Sequence, residues 1–263
     1  MTEKTKTRAA DYGLPMYFDM QAKMGHTKHL GGTFATDKLA ELSNLEPGKT
    51  LLNVGSGSGI SAAYVAEKYG CRVVGVDLLP GMIESAKKWA EAKGVADQTE
   101  FRQGDAQYLP FENDQFDALI CESVNAFVPD KEKAMREYMR VVKPGGYIGF
   151  TEAIWVNDPS EAAVELMAEA TGQQFHSPEV WERLFENSGL VDLHSENHAM
   201  TMRDEARNQS SLVGLRDYLK ILGRFFRLIF VDREVRSLMK YVGSNPRGYF
   251  EFMGFGIYSG RKP

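Results

Sequence analysis

Short apolar runs alternate with amphipathic stretches of helical spacing over residues 50–153. Five of the runs have the length and composition of β-strands: Leu51–Val54, Arg72–Val76, Thr99–Arg102, Phe116–Cys121 and Tyr147–Ala153. Most of the stretches between them predict helices that end at a glycine or at a Pro-Gly turn. Alternating strands and helices are typical of βαβ units, whose parallel sheet is buried on both faces. The pattern therefore predicts an α/β fold.

The pattern changes after the fifth strand. Helices are predicted over residues 159–170 and 177–187, followed by a strand over Val191–His198. Residues 203–247 differ in composition, and the chain then returns to an aromatic-rich strand, Gly248–Ser259, which we expect to pair antiparallel at the sheet edge. We therefore divide the chain into an N-terminal helical cap segment (residues 1–35), a central α/β domain (36–202), a helical insertion (203–247) and a final edge strand (248–263).

A glycine-rich turn follows the first predicted strand. In Gly55-Ser-Gly57-Ser-Gly59 the glycines permit a sharp bend and let a ligand touch the backbone. The helix after the turn directs its free N–H groups toward the same place. Asp77 ends the second strand about 20 residues further on, where a carboxylate can bind both hydroxyls of a ribose.

Two more acidic residues follow strands three and four. Asp105 comes just after the third strand, and Glu122 ends the fourth. Because ligands of open α/β sheets bind outside the carboxyl ends of the strands, we expect these acids to lie beside one crevice. Asp77 has a simpler interpretation as a charge at a helix N-terminus, and Asp105 as a solvated loop acid. The turn and the acids occur together, which favours a nucleoside site.

Five segments in a fixed order carry a family resemblance: LLNVGSGSG, VVGVD, GDAQYLPF, FDALICES and RVVKPGGYIGFTE. They resemble the class I S-adenosylmethionine-dependent methyltransferases. The similarity is to the small-molecule branch that includes ubiquinone/menaquinone C-methyltransferases, sarcosine/dimethylglycine methyltransferases and arsenite methyltransferases. It covers roughly residues 36–155 and reaches residue 26 through the HLGG stretch. The resemblance implies a Rossmann-like, doubly wound sheet of seven strands with the last one antiparallel, and a helical cap inserted before that strand.

The resemblance also implies a cofactor, S-adenosyl-L-methionine, which leaves as S-adenosyl-L-homocysteine, and a set of residues that bind it. In the order of their expected contacts, from the methionine part through the ribose and adenine to the sulfonium, these are Gly55, Ser56, Gly57, Asp77, Leu78, Met82, Asp105, Ala106 and Glu122. His29–Gly32 is expected to close over the cofactor. Many relatives have an acid where this chain has Asn53, so we expect weaker binding of the cofactor amine.

Methyl transfer from a sulfonium needs an aligned nucleophile and the exclusion of water, and it needs a base only where the nucleophile carries a proton. We consider Glu122 and His176 as catalytic candidates, and Tyr17 as an aromatic neighbour of the sulfonium. Glu152, His194 and His198 are further candidate bases. A lone histidine is more often a packing residue, and geometry is the first requirement for a base.

Composition narrows the classes of function. A net charge of -5 argues against a nucleic-acid partner. The two cysteines, Cys71 and Cys121, lie in apolar runs and have no metal-ligand spacing, so we expect no metal and a reducing compartment. The N-terminus lacks the apolar stretch of a secretion signal, and no run is long enough to cross a bilayer. We therefore expect a cytoplasmic protein.

The insertion at residues 203–247 is rich in arginine and lysine. Apolar residues recur at helical spacing from Leu212 to Ile229, and Arg216, Lys220, Arg224 and Arg227 fall on another face. Three interpretations remain open: a lid over the substrate, a homodimer interface, or a membrane-surface helix through residues 212–230.

The substrate is expected to be a small molecule. The aromatic and methionine residues outside the motifs favour an apolar or aromatic acceptor, such as a quinone or an isoprenoid. Arsenite is disfavoured because only Cys121 lies near the expected site. The alternatives are N-methylation of a small polar amine, and a non-catalytic module that only binds S-adenosylmethionine.

Overall fold

A computed structural model describes residues 27, 29–159, 161, 164–165, 175–231, 236 and 252–263. Its seven strands form one sheet in the order β3-β2-β1-β4-β5-β7-β6. Their bounds are Thr50–Val54 (β1), Arg72–Asp77 (β2), Thr99–Gln103 (β3), Phe116–Glu122 (β4), Val142–Trp155 (β5), Val191–Ala199 (β6) and Met253–Arg261 (β7). Strands β1–β5 pair in parallel, and β7 pairs antiparallel with both β5 and β6. The predicted seven-stranded Rossmann-like sheet is confirmed.

Seven helices are described: Gly32–Leu42 (α1), Ile60–Tyr69 (α2), Pro80–Lys93 (α3), Lys131–Val141 (α4), Pro178–Glu186 (α5), Met202–Val213 (α6) and Leu215–Val231 (α7). Short 3-10 turns occupy Ala96–Gln98 and Asn125–Phe127. None of the described helices is long and apolar enough to cross a membrane.

The sheet is covered on both faces, as its apolar strands require. Successive strand residues point to opposite faces. Leu51 accordingly packs in a core with α1, α2 and α3, whereas Leu52 packs in a second core with α4 and α5. Both leucines are fully buried. The helices therefore flank the sheet and leave the carboxyl ends of β1–β4 free to form a site.

The last strand is not at the edge, which corrects our expectation. β7 lies between β5 and β6 and pairs along its whole length with β5, from Tyr147 opposite Arg261 to Trp155 opposite Met253. Eight of its nine residues are buried. The edge belongs to β6, whose polar, largely exposed sequence VDLHSENHA suits an unpaired strand side.

The insertion places two helices beside the sheet. α6 packs against α1 and α2, and α7 rests its Tyr218 and Ile221 against a small cluster with Ile60 and Trp89. Residues 1–26, most of the helix expected at 159–170, and nearly all of 232–251 lie outside the described residues. Tyr17 lies there too, and the division into domains stays a prediction.

Candidate functional site

One cavity opens at the carboxyl ends of the central strands. The space enclosed by its walls and its solvent-open mouth is about 1060 Å³. Every residue predicted to bind the cofactor lines it: Gly55, Ser56, Gly57, Asp77, Leu78, Met82, Asp105, Ala106 and Glu122. The turn after β1 and the acids that follow β2, β3 and β4 therefore converge on a single space.

The glycine turn between β1 and α2 is held by its neighbours. Gly55 and Gly57 have positive φ values of 67° and 51°. A Cβ on Gly55 would lie 2.2 Å from a methyl group of Val124, and one on Gly57 would lie 2.4 Å from Thr27 Oγ1. Glycine is thus required here by close packing and by the left-handed backbone, in addition to any ligand.

Asp77 ties this turn to the end of β2. Its Oδ2 accepts the Gly57 N–H at 2.8 Å, and its Oδ1 accepts the Leu79 N–H at 2.9 Å. Burial raises the pKa of this carboxyl, and the N–H donors of Leu79 and Gly57 oppose that shift. The carboxylate faces the cavity and also fixes the shape of the cavity wall.

Asp105 occupies the equivalent place after β3. It is 9% exposed, and its Oδ1 accepts the Gln107 N–H at 2.8 Å. The preceding Gly104 N–H donates to the Asp77 carbonyl at 2.9 Å, which joins the two loops. Leu78 and the buried Met82 line the same side with apolar atoms. This wall suits a flat base between apolar side chains, with an acceptor at its edge.

Glu122 ends β4 in a buried polar cluster with His29 and Thr36. Thr36 Oγ1 donates to Glu122 Oε1 at 2.7 Å, and His29 Nδ1 lies 3.5 Å from the same oxygen. His29 Nε2 lies 3.4 Å from Thr36 Oγ1. All three residues are at most 7% exposed. Sequence reasoning gave no role to Thr36, because it is 86 residues from Glu122 along the chain.

Thr27 and His29 line the cavity from the segment before α1. Thr27 and Ser58 exchange two hydrogen bonds between backbone N–H and side-chain hydroxyl, at 3.1 and 3.0 Å. The Leu30 N–H donates to Ser123 Oγ at 3.0 Å, and Ser123 has a strained φ of 57°. Of the stretch His29–Gly32, only His29 is among the residues that line the cavity, and its closure over the cofactor stays a prediction. The hydrogen bonds that Ser58 and Ser123 make with this segment were not predicted.

Glu152 does not line the cavity, but it binds backbone groups of a turn that forms part of the cavity wall. It is fully buried, and its carboxylate accepts N–H groups of Val124, Asn125 and Ala126 at 3.3, 2.7 and 3.2 Å. Burial raises the pKa of Glu152 to about 7. The acid fixes the turn that presents Val124 to the cavity, so its position supports a structural role rather than that of a base.

The other candidate bases lie elsewhere, which corrects the placement expected for His176. The His176 ring packs edge-on against Trp181 with centroids 5.3 Å apart, and it does not line the cavity. Burial, followed by Lys131, lowers the pKa of His176. His194 and His198 flank Glu196 on β6, at 3.3 and 2.8 Å from its carboxylate. Within the described ranges no group of side chains could hold a metal ion.

Unsatisfied buried atoms test whether a cofactor fits the cavity. Several buried side-chain atoms of the described residues have no hydrogen-bond partner. Some of these atoms lie away from the cavity, but Asn53 Oδ1, Ser56 Oγ and Glu122 Oε2 all belong to residues that line it. Buried acceptors normally have partners, so three orphans at one wall point to a polar ligand with donors, such as an amine. Together with Asp77 and Asp105, they fit an amino acid joined to a nucleoside.

Fold and site together define a Rossmann-like protein with a cavity for a nucleoside cofactor. A family model described as a methyltransferase domain matches residues 52–150. An uncharacterized protein of Haemophilus influenzae is 30% identical over 186 residues, which cover 69% of this chain and 74% of that protein. The chain belongs to the class I S-adenosylmethionine-dependent methyltransferases, so the resemblance seen in the five motifs is confirmed, and S-adenosylmethionine is the cofactor of this family.

Two further similarities extend over most of the chain. The sarcosine/dimethylglycine N-methyltransferase of Halorhodospira halochloris is 23% identical over 86% of this chain and 80% of that enzyme. The crystal structure of a methyltransferase from Thiobacillus denitrificans with S-adenosylhomocysteine superimposes with a TM-score of 0.69 at 23% identity, covering 93% of this chain and 98% of that one. Two other curated relatives are longer: the part of each that matches this chain makes up only 59% of the first and 33% of the second.

Proposed function

We propose that this chain transfers the methyl group of S-adenosylmethionine to a small molecule. The observation that carries the proposal is the convergence of the glycine turn, Asp77, Asp105 and Glu122 on one cavity. When bound, the cofactor supplies an electrophilic methyl group on a sulfonium. A nucleophile of the substrate would receive that methyl group, and S-adenosylhomocysteine would be the second product.

The cavity residues divide the cofactor between them. Asp77 and Asp105 supply acceptors for the ribose and the adenine amino group, and Leu78 and Met82 supply apolar contacts for the base. The unsatisfied oxygens of Asn53 and Glu122 suit the amine of the methionine part. Asn53 contributes no charge, so Glu122 is the one of the two that can attract that amine electrostatically.

Calorimetric titration with S-adenosylmethionine tests the proposal directly. We expect saturable binding of S-adenosylmethionine and of S-adenosylhomocysteine, and no binding of ATP, which shares the adenosine but lacks the amino acid. No heat of binding at millimolar S-adenosylmethionine would end the proposal.

For the acceptor we propose an apolar or aromatic small molecule. The support is the apolar part of the wall beyond the Glu122 cluster, formed by Val124, Phe127 and Val128. Phe127 and Val128 are buried beside the turn that Glu152 fixes. An apolar acceptor would gain from burial there, at roughly 25 cal/mol per Å² of apolar area.

A small polar amine is the second candidate. The buried carboxylate of Glu122 with His29 beside it favours a cationic or proton-bearing acceptor, and the similarity to the sarcosine/dimethylglycine enzyme points the same way. Formation of S-adenosylhomocysteine with a naphthoquinol and with sarcosine, measured side by side, separates the two. If cofactor binds but neither acceptor nor a cell extract is methylated, a binding module without catalysis is favoured.

A further inference from the structure

Exposed apolar side chains are concentrated on helix α7 (Leu215–Val231). In the part of the chain that the structure describes, nine large apolar side chains are exposed, and four of them belong to this helix. Leu219, Phe226, Phe230 and Val231 are 58%, 57%, 77% and 69% exposed. Such a concentration on one element normally marks an interaction site.

Three of these four side chains, Leu219, Phe226 and Phe230, form a line that is separate from the packing face. Leu219, Gly223, Phe226 and Phe230 follow one another at intervals of four, three and four residues, which places them on one side of a helix. Tyr218 and Ile221, on the other side, pack against the body of the protein. We call the exposed line the apolar stripe.

A row of basic residues runs beside the apolar stripe. Arg216, Lys220 and Arg227 are all exposed and fall next to the stripe on the helix surface. Asp217 is the one acidic residue in this helix, and it is bound by Lys220 at 2.8 Å and by Lys93 at 3.9 Å. This basic row belongs to a chain whose net charge is -5, so the positive charge is local.

We infer that α7 docks this protein onto an anionic lipid surface, lying in the plane of the membrane. Interfacial helices place Phe and Leu among the acyl chains and Lys and Arg at the headgroups, and the apolar stripe with its basic row supplies both. A second copy of this chain is a poorer occupant. An antiparallel two-fold contact along the stripe would bring the basic rows of the two copies side by side, and like charges repel.

The position of α7 gives this contact a consequence for the cavity. Tyr218 and Ile221 pack in a cluster with Ile60, and Ile60 also lines the cavity. Docking through the opposite side of the helix would therefore hold the cavity close to the lipid. The inference goes beyond the proposed methyl transfer and does not depend on it.

Sedimentation with vesicles tests the inference. The wild-type protein is expected to co-sediment with vesicles of phosphatidylcholine and phosphatidylglycerol, to do so less at high salt, and to stay in solution with phosphatidylcholine alone. The double variant Arg216→Glu, Arg227→Glu should bind at least about 25-fold more weakly, at roughly a factor of five for each basic residue. Phe226→Ser with Phe230→Ser should bind at least about tenfold more weakly.

A matched control uses an exposed leucine and an exposed arginine far from α7. Leu193→Ser on β6 combined with Arg183→Glu on α5 removes the same kinds of side chain from the other end of the sheet. This variant should bind vesicles as the wild type does. Calorimetry with S-adenosylmethionine in every variant reports on the proposed function separately.

Three outcomes would overturn the inference: no binding of the wild type to anionic vesicles, equal loss in the control variant, or binding that does not respond to either α7 variant. Sedimentation equilibrium shows whether a second copy of the chain, rather than a lipid surface, covers the apolar stripe. A dimer that dissociates in the Phe226→Ser, Phe230→Ser variant, without any vesicle binding, would assign the apolar stripe to a second copy.

Discussion

At the scale of single residues, the carboxylates of Asp77 and Glu152 have different roles, although their chemistry is the same. Both are carboxylates that accept backbone N–H groups and both have pKa values raised by burial. Asp77 faces the cavity, whereas Glu152 lies behind its wall. Substituting either one should therefore give distinct effects on binding and on stability.

Asp77→Ala should weaken the binding of S-adenosylmethionine roughly 100-fold, because hydrogen bonds to a charged group contribute about 1.5–3 kcal/mol each. The variant loses the acceptor for the ribose and frees the Gly57 N–H. Calorimetry measures the change. The control is Asp97→Ala, an exposed acid just before β3. Equal affinity of the Asp77→Ala protein and the wild type would refute the assigned role.

Glu152 should make stability depend on pH. Its pKa in the folded protein is about 7 against an ordinary 4.5, so its contribution to stability is complete below pH 4.5 and is lost as the pH rises through 7. Relative to Glu152→Gln, which does not titrate, the free energy of unfolding of the wild type should fall by on the order of 3 kcal/mol across that range. Urea unfolding of both proteins at several pH values measures this difference. If the free energies of unfolding of the wild type and of Glu152→Gln changed with pH in the same way, the prediction would be wrong.

At the scale of elements, the turn between β1 and α2 is fixed by close packing. Gly55 and Gly94 both have a positive φ, of 67° and 72°. A Cβ on Gly55 would collide with Val124, whereas one on Gly94 would meet nothing within 4 Å. The pair therefore separates backbone strain from crowding.

Gly94→Ala should destabilise the protein by about 1–2 kcal/mol, the cost of a left-handed backbone for a residue with a Cβ. Gly55→Ala should cost a further 1–3 kcal/mol or so through crowding, and it should also weaken cofactor binding by displacing Val124. Urea unfolding and calorimetry measure the two effects. Equal losses of stability in the two variants would show that Val124 gives way without cost.

The elements also show what the sequence could and could not predict. The five parallel strands, the glycine turn and the acids Asp77 and Asp105 were predictable, because apolar runs, turn residues and strand ends are local signals. The position of β7 was not, since pairing between distant strands leaves no local pattern. The Thr36–Glu122 hydrogen bond and the burial of Glu152 were missed for the same reason: tertiary contacts alone decide them.

At the scale of the whole molecule, a ligand that binds only the folded state must stabilise it. At a concentration 100 times its Kd, S-adenosylmethionine should add about 2.7 kcal/mol to the free energy of unfolding. For a chain of this size that raises Tm by roughly 5–10 °C. Thermal unfolding with and without cofactor measures the shift. Asp77→Ala at the same concentration is the control, and an unchanged wild-type Tm would contradict the cofactor site.

The interior position of β7 bears on the order in which the protein can fold during synthesis. Among the described strands β6 pairs with β7 alone, and β7 is the last of them to be translated. The parallel strands β1–β5 can assemble while the ribosome is still at work, but β6 must wait for a partner made more than fifty residues later. Until then one side of β5 also lacks its neighbour, so the nascent chain has an interval in which this edge is open to wrong pairing or to a chaperone.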